Sequence, residues 1–386
     1  MKHNTSTLKY VIYIILFILF IELCYALYGF LFAKKNNIYF DGINTYKYMD
    51  SNYIAVGSNN NNDKYYEKAK LSIFDKDLNK MKEKLYNKGY NSTFYDVIKD
   101  EDNYIVVGSY EATRNDHLMK NRRGMIVKYD KDDNIVFEKE LSHLANSSIT
   151  AIKLVKDGYI VCGNSNYSSN NITNTNAGGA YLIKYSKDGK VIWERNIGDK
   201  SSAKFNDFII VDNYIFAVGI NNINVGLIVK YDINGNFLTS YDYRNTDNLG
   251  FSNVVYRDGY AYVCGCKKTE KSSKGLIVRF DDNLGFVDEK VYNENNSRYN
   301  KLLFDEDHLI VIGTVDKDDY DGIIGKYNDD LSEIDIVKYG DEEDDYFTDV
   351  KIIDNKYVVV GYSSYEDSLL TKFIYYSDAL KVLEVK

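Results

Sequence analysis

Three aspartates and an asparagine, Asp96, Asp207, Asn253 and Asp349, stand at one repeated place in the chain, each followed by an apolar residue. Thr45, Ala151 and Lys301 fill the same place in other copies of the repeat. Carboxylates gathered from separate copies could collect a cation or a basic group, or act as an acid and base pair. A simpler role is also open to them, because Asp readily caps the backbone of its own turn. The four histidines, His3, His117, His143 and His308, fall at non-equivalent places. There is no G-x-S-x-G elbow, H-E-x-x-H or phosphate loop, so nucleophilic, zinc and nucleotide chemistry lack their usual parts. No catalytic residue, metal ligand set or cofactor is therefore expected. A hydrolase or lyase using these carboxylates remains the alternative to a binding protein.

The elements that must position these residues come from the repeat itself. YIAVG ends at Gly57, YIVVG at Gly108, YIVCG at Gly163, YIFAVG at Gly219, YAYVCG at Gly265, LIVIG at Gly313 and YVVVG at Gly361. Seven copies at intervals of 46 to 56 residues mark a repeat architecture whose units bury apolar faces against their neighbours. Each unit holds four short runs rich in Val, Ile, Phe and Tyr. In the second unit they are FYDVIKD (94–100), YIVVG (104–108), GMIVKYD (124–130) and NIVFEKEL (134–141), separated by Asp, Asn, Gly and Lys. We label them strands A to D. Units of four short strands without helical periodicity predict an all-β fold, a seven-bladed β-propeller of four-stranded blades over 43–386. Strand A then lines the central channel, and each blade is complete in sequence order, so the ring needs no strand borrowed across the seam. A strand from 37–40 is the alternative closure.

Other charged patterns are expected to be structural. The C-to-D turns DKDDN (130–134), SKDGK (186–190), DINGN (232–236) and DDNLG (281–285) carry part of a calcium-loop spacing, but tight turns alone require these residue types. Lys128, Lys184, Lys230, Arg279, Lys326 and Lys372 repeat on strand C, and Glu83, Glu138, Glu194 and Glu289 on strand D, which predicts ion pairs across the sheet. Cys162 and Cys264 replace Val, Ile or Ala in strand B and are read as core residues.

The N-terminus differs. After a short tail (1–9), residues 10–33 carry one charge, Glu22, over a length sufficient to cross a bilayer, and 34–42 form a linker. This predicts a single N-terminal transmembrane helix, and we place the propeller outside the cytoplasm, although Lys2 and Lys9 face Lys34 and Lys35 across the span.

The turn and strand patterns YDINGNF (231–237) and YSKDGKVIWE (185–194), with the F-x-D-V of 94–97 and 347–350, resemble bacterial membrane-anchored or secreted β-propeller repeat proteins with a quinoprotein-like repeat. The resemblance implies a scaffolding or binding role. The chain departs from quinoprotein enzymes in having one Trp, seven units and no vicinal cysteine pair, and no quinone cofactor is expected.

If the strands run antiparallel in order, the B-to-C loops and D-to-A connections share one face. Blades 6 and 7 place an acidic sector there: Asp316, Asp318, Asp319, Asp321, Asp341, Glu342, Glu343, Asp344 and Asp345. Arg114, Lys120, Arg122 and Arg123 make the blade 2 loop basic. The expected function is a membrane-anchored binding or scaffold module whose acidic sector meets a protein partner at the membrane surface. A net charge of −9 excludes the electrostatic footprint of a nucleic-acid binder.

Overall fold

The computed structural model describes residues 43–59, 67–112, 122–144, 146–165, 179–197, 203–221, 225–244, 246–316, 319–340, 343–365 and 368–385. These form seven antiparallel four-stranded sheets, each with its strands in sequence order. The blades occupy 43–86, 90–140, 148–197, 204–243, 246–291, 297–339 and 344–385. The A strands, Ile43–Met49, Tyr90–Asp100, Ser148–Val155, Lys204–Val211, Thr246–Arg257, Ser297–Phe304 and Asp344–Ile353, each touch the next A strand around a closed ring. The expected seven-bladed propeller is therefore observed. Among the described residues no helix is long and apolar enough to cross a membrane, and the span at 10–33 lies outside them.

The core lies between blades. Ile54, Val56 and Leu71 of blade 1 pack with Phe94, Val106 and Val127 of blade 2. Ile160, Cys162 and Leu182 of blade 3 pack with Phe205, Ala217 and Val229 of blade 4. This alternation of apolar faces is why one blade cannot be stable alone.

The repeated glycine has a steric cause. In every blade strand A carries a β-bulge opposite it: Phe94 pairs with Gly108 but Asp96 with Val107, leaving Tyr95 as the extra residue. The same step leaves out Asn44, Thr150, Asn206, Ser252, Asn300 and Thr348. The bulge drives a strand A carbonyl against the glycine. A Cβ on Gly219 would lie 1.9 Å from the Lys204 oxygen, and one on Gly361 would lie 2.2 Å from that of Tyr346.

The seam between blades 7 and 1 closes by side chains, with both sheets built wholly from their own segments. The Tyr46 hydroxyl donates to the Val358 carbonyl at 2.6 Å, and the Tyr53 and Tyr375 hydroxyls lie 3.1 Å apart. Phe373 sets its edge against both Tyr46 and Tyr53, at 5.5 Å between centroids. The alternative strand at 37–40 lies outside the described residues.

Arg279 pairs across the sheet with Asp288 of strand D at 2.7 Å, but Lys128, Lys230 and Lys326 do not reach the strand D glutamates. Glu138 stands opposite Val127, and Lys128 opposite Phe137, so the two charges point to opposite faces of the sheet. Lys230 and Lys326 instead reach the C-to-D turn of the next blade, at Asp282 (2.7 Å) and Asp378 (2.5 Å). Glu138 binds Lys88, and Glu194 binds His143. The turns themselves consume their carboxylates: Asp130 Oδ1 accepts the Asp132 and Asn134 amides at 2.9 and 2.8 Å, with Asp133 at φ 66°. Asp232 repeats the arrangement at 2.9 and 2.8 Å.

The glycine argument is testable by pairing Gly219→Ala with Gly259→Ala. The first forces two backbones apart and should cost about 2–3 kcal/mol. At Gly259 nothing lies within 4 Å and only the positive φ of 85° opposes a side chain, so about 1 kcal/mol is expected. Denaturant midpoints that rank the two variants in the reverse order would refute the account.

Candidate functional site

The bulge delivers residue 96 and its equivalents to the channel wall. Thr45, Asp96, Asp207, Asn253 and Asp349 are all buried. Asp96 Oδ1 accepts its own neighbour's amide, Val97, at 2.9 Å, while Oδ2 accepts the Ile152 amide of blade 3 at 3.0 Å. Asn253 does the same across to blade 6, its Oδ1 accepting the Leu302 amide at 2.8 Å. Asp349 accepts the Val350 amide at 2.9 Å and, over the seam, the Thr45 hydroxyl. Asp207 accepts the Phe208 amide at 2.8 Å and the Asn253 side-chain amide. Bulge residues add a second set of links: Thr150, Asn206 and Asn300 donate to the Phe205, Phe251 and Phe347 carbonyls of the following blade at 2.8, 2.7 and 3.0 Å. The channel-wall polar residues thus tie each blade to the next.

Four lysines share this space. Lys47, Lys153 and Lys351 sit two residues after the position aligned with Asp96 in blades 1, 3 and 7, and Lys301 occupies that position itself in blade 6. Lys47 lies 3.5 Å from Asp96, Lys153 3.3 Å from Asp207, and Lys351 2.7 Å from Asp349. Lys301 reaches past blade 5 to Asp207, at 3.3 Å. About a quarter of each lysine side chain still meets solvent, from 26% to 29%. Burial opposes charge on Asp207, yet Lys153 and Lys301 hold its carboxyl well below the usual range. Asp349 is likewise held low against burial by Lys351, Lys301 and Lys47. Lys301 gains from Asp207, Asp349 and Asp96 more than burial takes away, and its proton is held more tightly than usual. Lys351 goes the other way: burial, helped by Lys47 and Lys301, outweighs Asp349 and brings it down to about 8.

On the loop face, Asp316, Asp319, Asp321, Glu343, Asp344 and Asp345 are described, whereas Asp318, Asp341 and Glu342 lie outside the described residues. Asp345 turns inward, 3% exposed, toward Ser363 and Lys372. Burial first, then Asp319, raises the Asp321 carboxyl, with Asp345 and Glu294 adding to the crowding and Lys338 opposing it. Asp344 accepts the Tyr320 amide at 3.1 Å. Beside them runs a ladder of rings, with Tyr320 and Tyr362 each 5.0 Å from Tyr346 between centroids. In the blade 2 loop, Arg123 donates to the Ser142 carbonyl at 2.6 Å and Arg122 lies 3.9 Å from Glu111; Arg114 and Lys120 are outside the described residues.

No family model matches the chain, and no curated protein matches it. Solved structures do. KlAtg21, in complex with the coiled coil of AgAtg16, aligns with 90% of this chain and 99% of its own at 12% identity and a TM-score of 0.56. The propeller domain of the trilobed protease from Pyrococcus furiosus, reported to have an open velcro topology, aligns with 90% of this chain and 95% of its own at 10% identity and a TM-score of 0.50. Sqt1 from Chaetomium thermophilum gives 9% identity over 87% of this chain and 96% of its own, with a TM-score of 0.50. The chain is a β-propeller; at these identities the likeness concerns fold alone.

Sequence reasoning singled out the position aligned with Asp96 but missed Lys47, Lys153 and Lys351. The signal was their spacing, since residues two apart on a strand share a face. The tyrosine ladder was missed because its rings come from three strands and two blades.

The lysine-held carboxylates set the acid limb of stability. A carboxyl whose folded pKa is depressed contributes stability above its unfolded pKa, near 3.9, and loses it as pH falls further. Asp349→Asn keeps an acceptor, as Asn253 shows, but deletes the charge. It should cost about 2 kcal/mol at pH 7, below the roughly 3–5 kcal/mol of a fully buried broken pair because the lysine heads keep some water. The deficit should shrink below pH 4. A deficit independent of pH from 7 to 3 would show that hydrogen bonding alone sets the role of Asp349.

Proposed function

We propose that the protein is a membrane-anchored, non-catalytic binding propeller that takes a basic segment of a protein partner on the loop face of blades 6 and 7. The observation that carries this reading is the setting of Asp319 and Asp321 beside the Tyr320, Tyr346 and Tyr362 ladder, where burial and then Asp319 raise the Asp321 carboxyl. Like charges held together are relieved by an incoming Lys or Arg. The exposed Tyr320 ring, backed by Tyr346, adds cation–π contact and ordered apolar area, which is what binding hot spots are made from. A protein partner also accords with the Atg21 propeller, solved with a coiled coil.

The channel carboxylates are less suited to catalysis than to holding the ring, since backbone amides and lysines already occupy them. Residues 10–33 would serve as the anchor, with the short tail inside and the propeller outside the cytoplasm.

The test is in-cell crosslinking of the tagged full-length protein, affinity capture and mass spectrometry, beside the Asp318→Lys/Asp319→Lys/Glu342→Lys/Glu343→Lys variant. Loss of a partner in the variant, with an unchanged thermal midpoint, is the expected result. A Tyr320→Ala variant should weaken the same partner by about tenfold, the effect of a modest hot spot. Identical capture by wild type and the charge-reversed protein would remove the acidic sector from the binding surface.

A further inference from the structure

The channel holds more positive than negative charge. Lys47, Lys153, Lys301 and Lys351 converge from blades 1, 3, 6 and 7, whereas among the described residues Asp96, Asp207 and Asp349 oppose them at this level. The carboxylates cannot turn freely toward the ammonium groups, because both oxygens of Asp96, Asp207 and Asp349 also accept amide or hydroxyl hydrogens from their own or the next blade. Each ammonium has three N–H donors. Among the described residues, Lys153 and Lys301 each place one on Asp207, and Lys351 places two, on Asp349 and on the Val350 carbonyl at 3.1 Å. Lys153 and Lys351 also lie over the Phe208 and Tyr46 rings, and part of each of the four side chains still meets solvent.

We propose that the central channel is a binding site for a compact oxyanion, a phosphate or a small dicarboxylate, held between Lys47, Lys153, Lys301 and Lys351. The ring supplies what such a ligand needs. Ammonium groups come from four directions, on strands too rigid to collapse onto each other, in a space whose protein walls strengthen electrostatic attraction relative to bulk water. A bound anion replaces the missing negative charge. Burial first, and then Lys47 and Lys301, act against the Lys351 proton, and the two lysines are the part of this that a bound anion would offset. Binding an anion beside it restores that hold, so binding takes up protons near pH 8 and affinity falls as pH rises through that value.

The test is calorimetric titration of the full-length protein with inorganic phosphate and, separately, with malonate, at constant ionic strength set by chloride. Malonate keeps its charge above neutral pH and therefore isolates the protein's titration. Saturable one-site binding is expected, with malonate affinity falling about tenfold between pH 7 and pH 9.5. At pH 8 the apparent enthalpy should depend on the buffer's ionisation heat. Lys351→Met should weaken binding at least tenfold and abolish the proton uptake. Lys351→Arg, which retains a charge that does not titrate in this range, should bind with a flat pH profile. Saturation by phosphate alone assigns a phosphate-bearing ligand, and saturation by malonate alone a carboxylate. Failure of both to saturate the wild-type protein overturns the proposal, as does a Lys351→Arg variant that keeps the wild-type pH step. Because the loop face and its partner take no part in these titrations, the outcome is independent of the proposed protein-binding role.

Discussion

The approach of a strand A carbonyl to a strand B glycine is the constraint on which the rest of this ring depends. A bulge needs an extra residue on one strand and room on the other. The glycine provides the room, with the Lys204 oxygen 1.9 Å from where a Cβ on Gly219 would stand. The bulge then reorients the residue that follows it, so that Asp96, Asp207, Asn253 or Asp349 looks along the ring instead of into its own sheet. From that position a carboxylate can accept one amide from its own strand and another donor from the neighbouring blade. Blades packed by apolar faces alone would be free to slide, because hydrophobic contact is non-directional. The carboxylate bridges fix the rotation between blades, and the bulge side chains of Thr150, Asn206 and Asn300 repeat the constraint a short step away.

Charge at the channel wall follows from the same geometry. An ionised carboxylate taken out of water is costly unless hydrogen bonds and opposite charge offset the loss. Backbone amides supply the first and lysines the second. Blade 1 uses threonine, blade 3 alanine and blade 5 asparagine, while Lys301 replaces the acid in blade 6 and spans to Asp207, so the ring keeps three carboxylates. The substitution turns a ring of like acids, which would repel one another, into an alternating cluster with lysines in slight excess. Asp207 and Asp349 are consequently stabilised as anions, and Lys351 is left with less than it needs.

Much of this was legible in the sequence, because the fold is written in repetition. The seven glycines located strand B, the alternating apolar runs gave the other strands, and the aligned Asp and Asn residues marked the channel wall. The turn chemistry was also readable, since Asp130 and Asp232 cap their own hairpins. What could not be read were partners that depend on the angle between blades. Lys230 and Glu138-type residues looked complementary along the chain, yet strand alternation sends them to opposite faces, and Lys230 finds Asp282 in the next blade. Alternation also divides the acidic sector, turning Asp345 inward to Lys372 while its neighbour Asp344 stays with Tyr320.

The seam shows why the ring can close without exchanging a strand. Blades 7 and 1 meet through the same Asp349 bridge that joins other neighbours, so the junction needs no special topology, only compensation for the absence of a covalent link. Aromatic packing supplies it: Phe373 lies edge-on to two tyrosines whose hydroxyls reach Val358 and Tyr375 across the junction. Edge-to-face rings add to the area they bury, and a buried hydroxyl that finds an acceptor fixes their orientation. The closure contacts of Tyr46, Tyr53, Val358, Phe373 and Tyr375 all come from strands A to C, and none of them from the loops on the partner face. Their charge and length can vary without loosening the ring, which is the condition for a scaffold that keeps its frame while its binding surface changes.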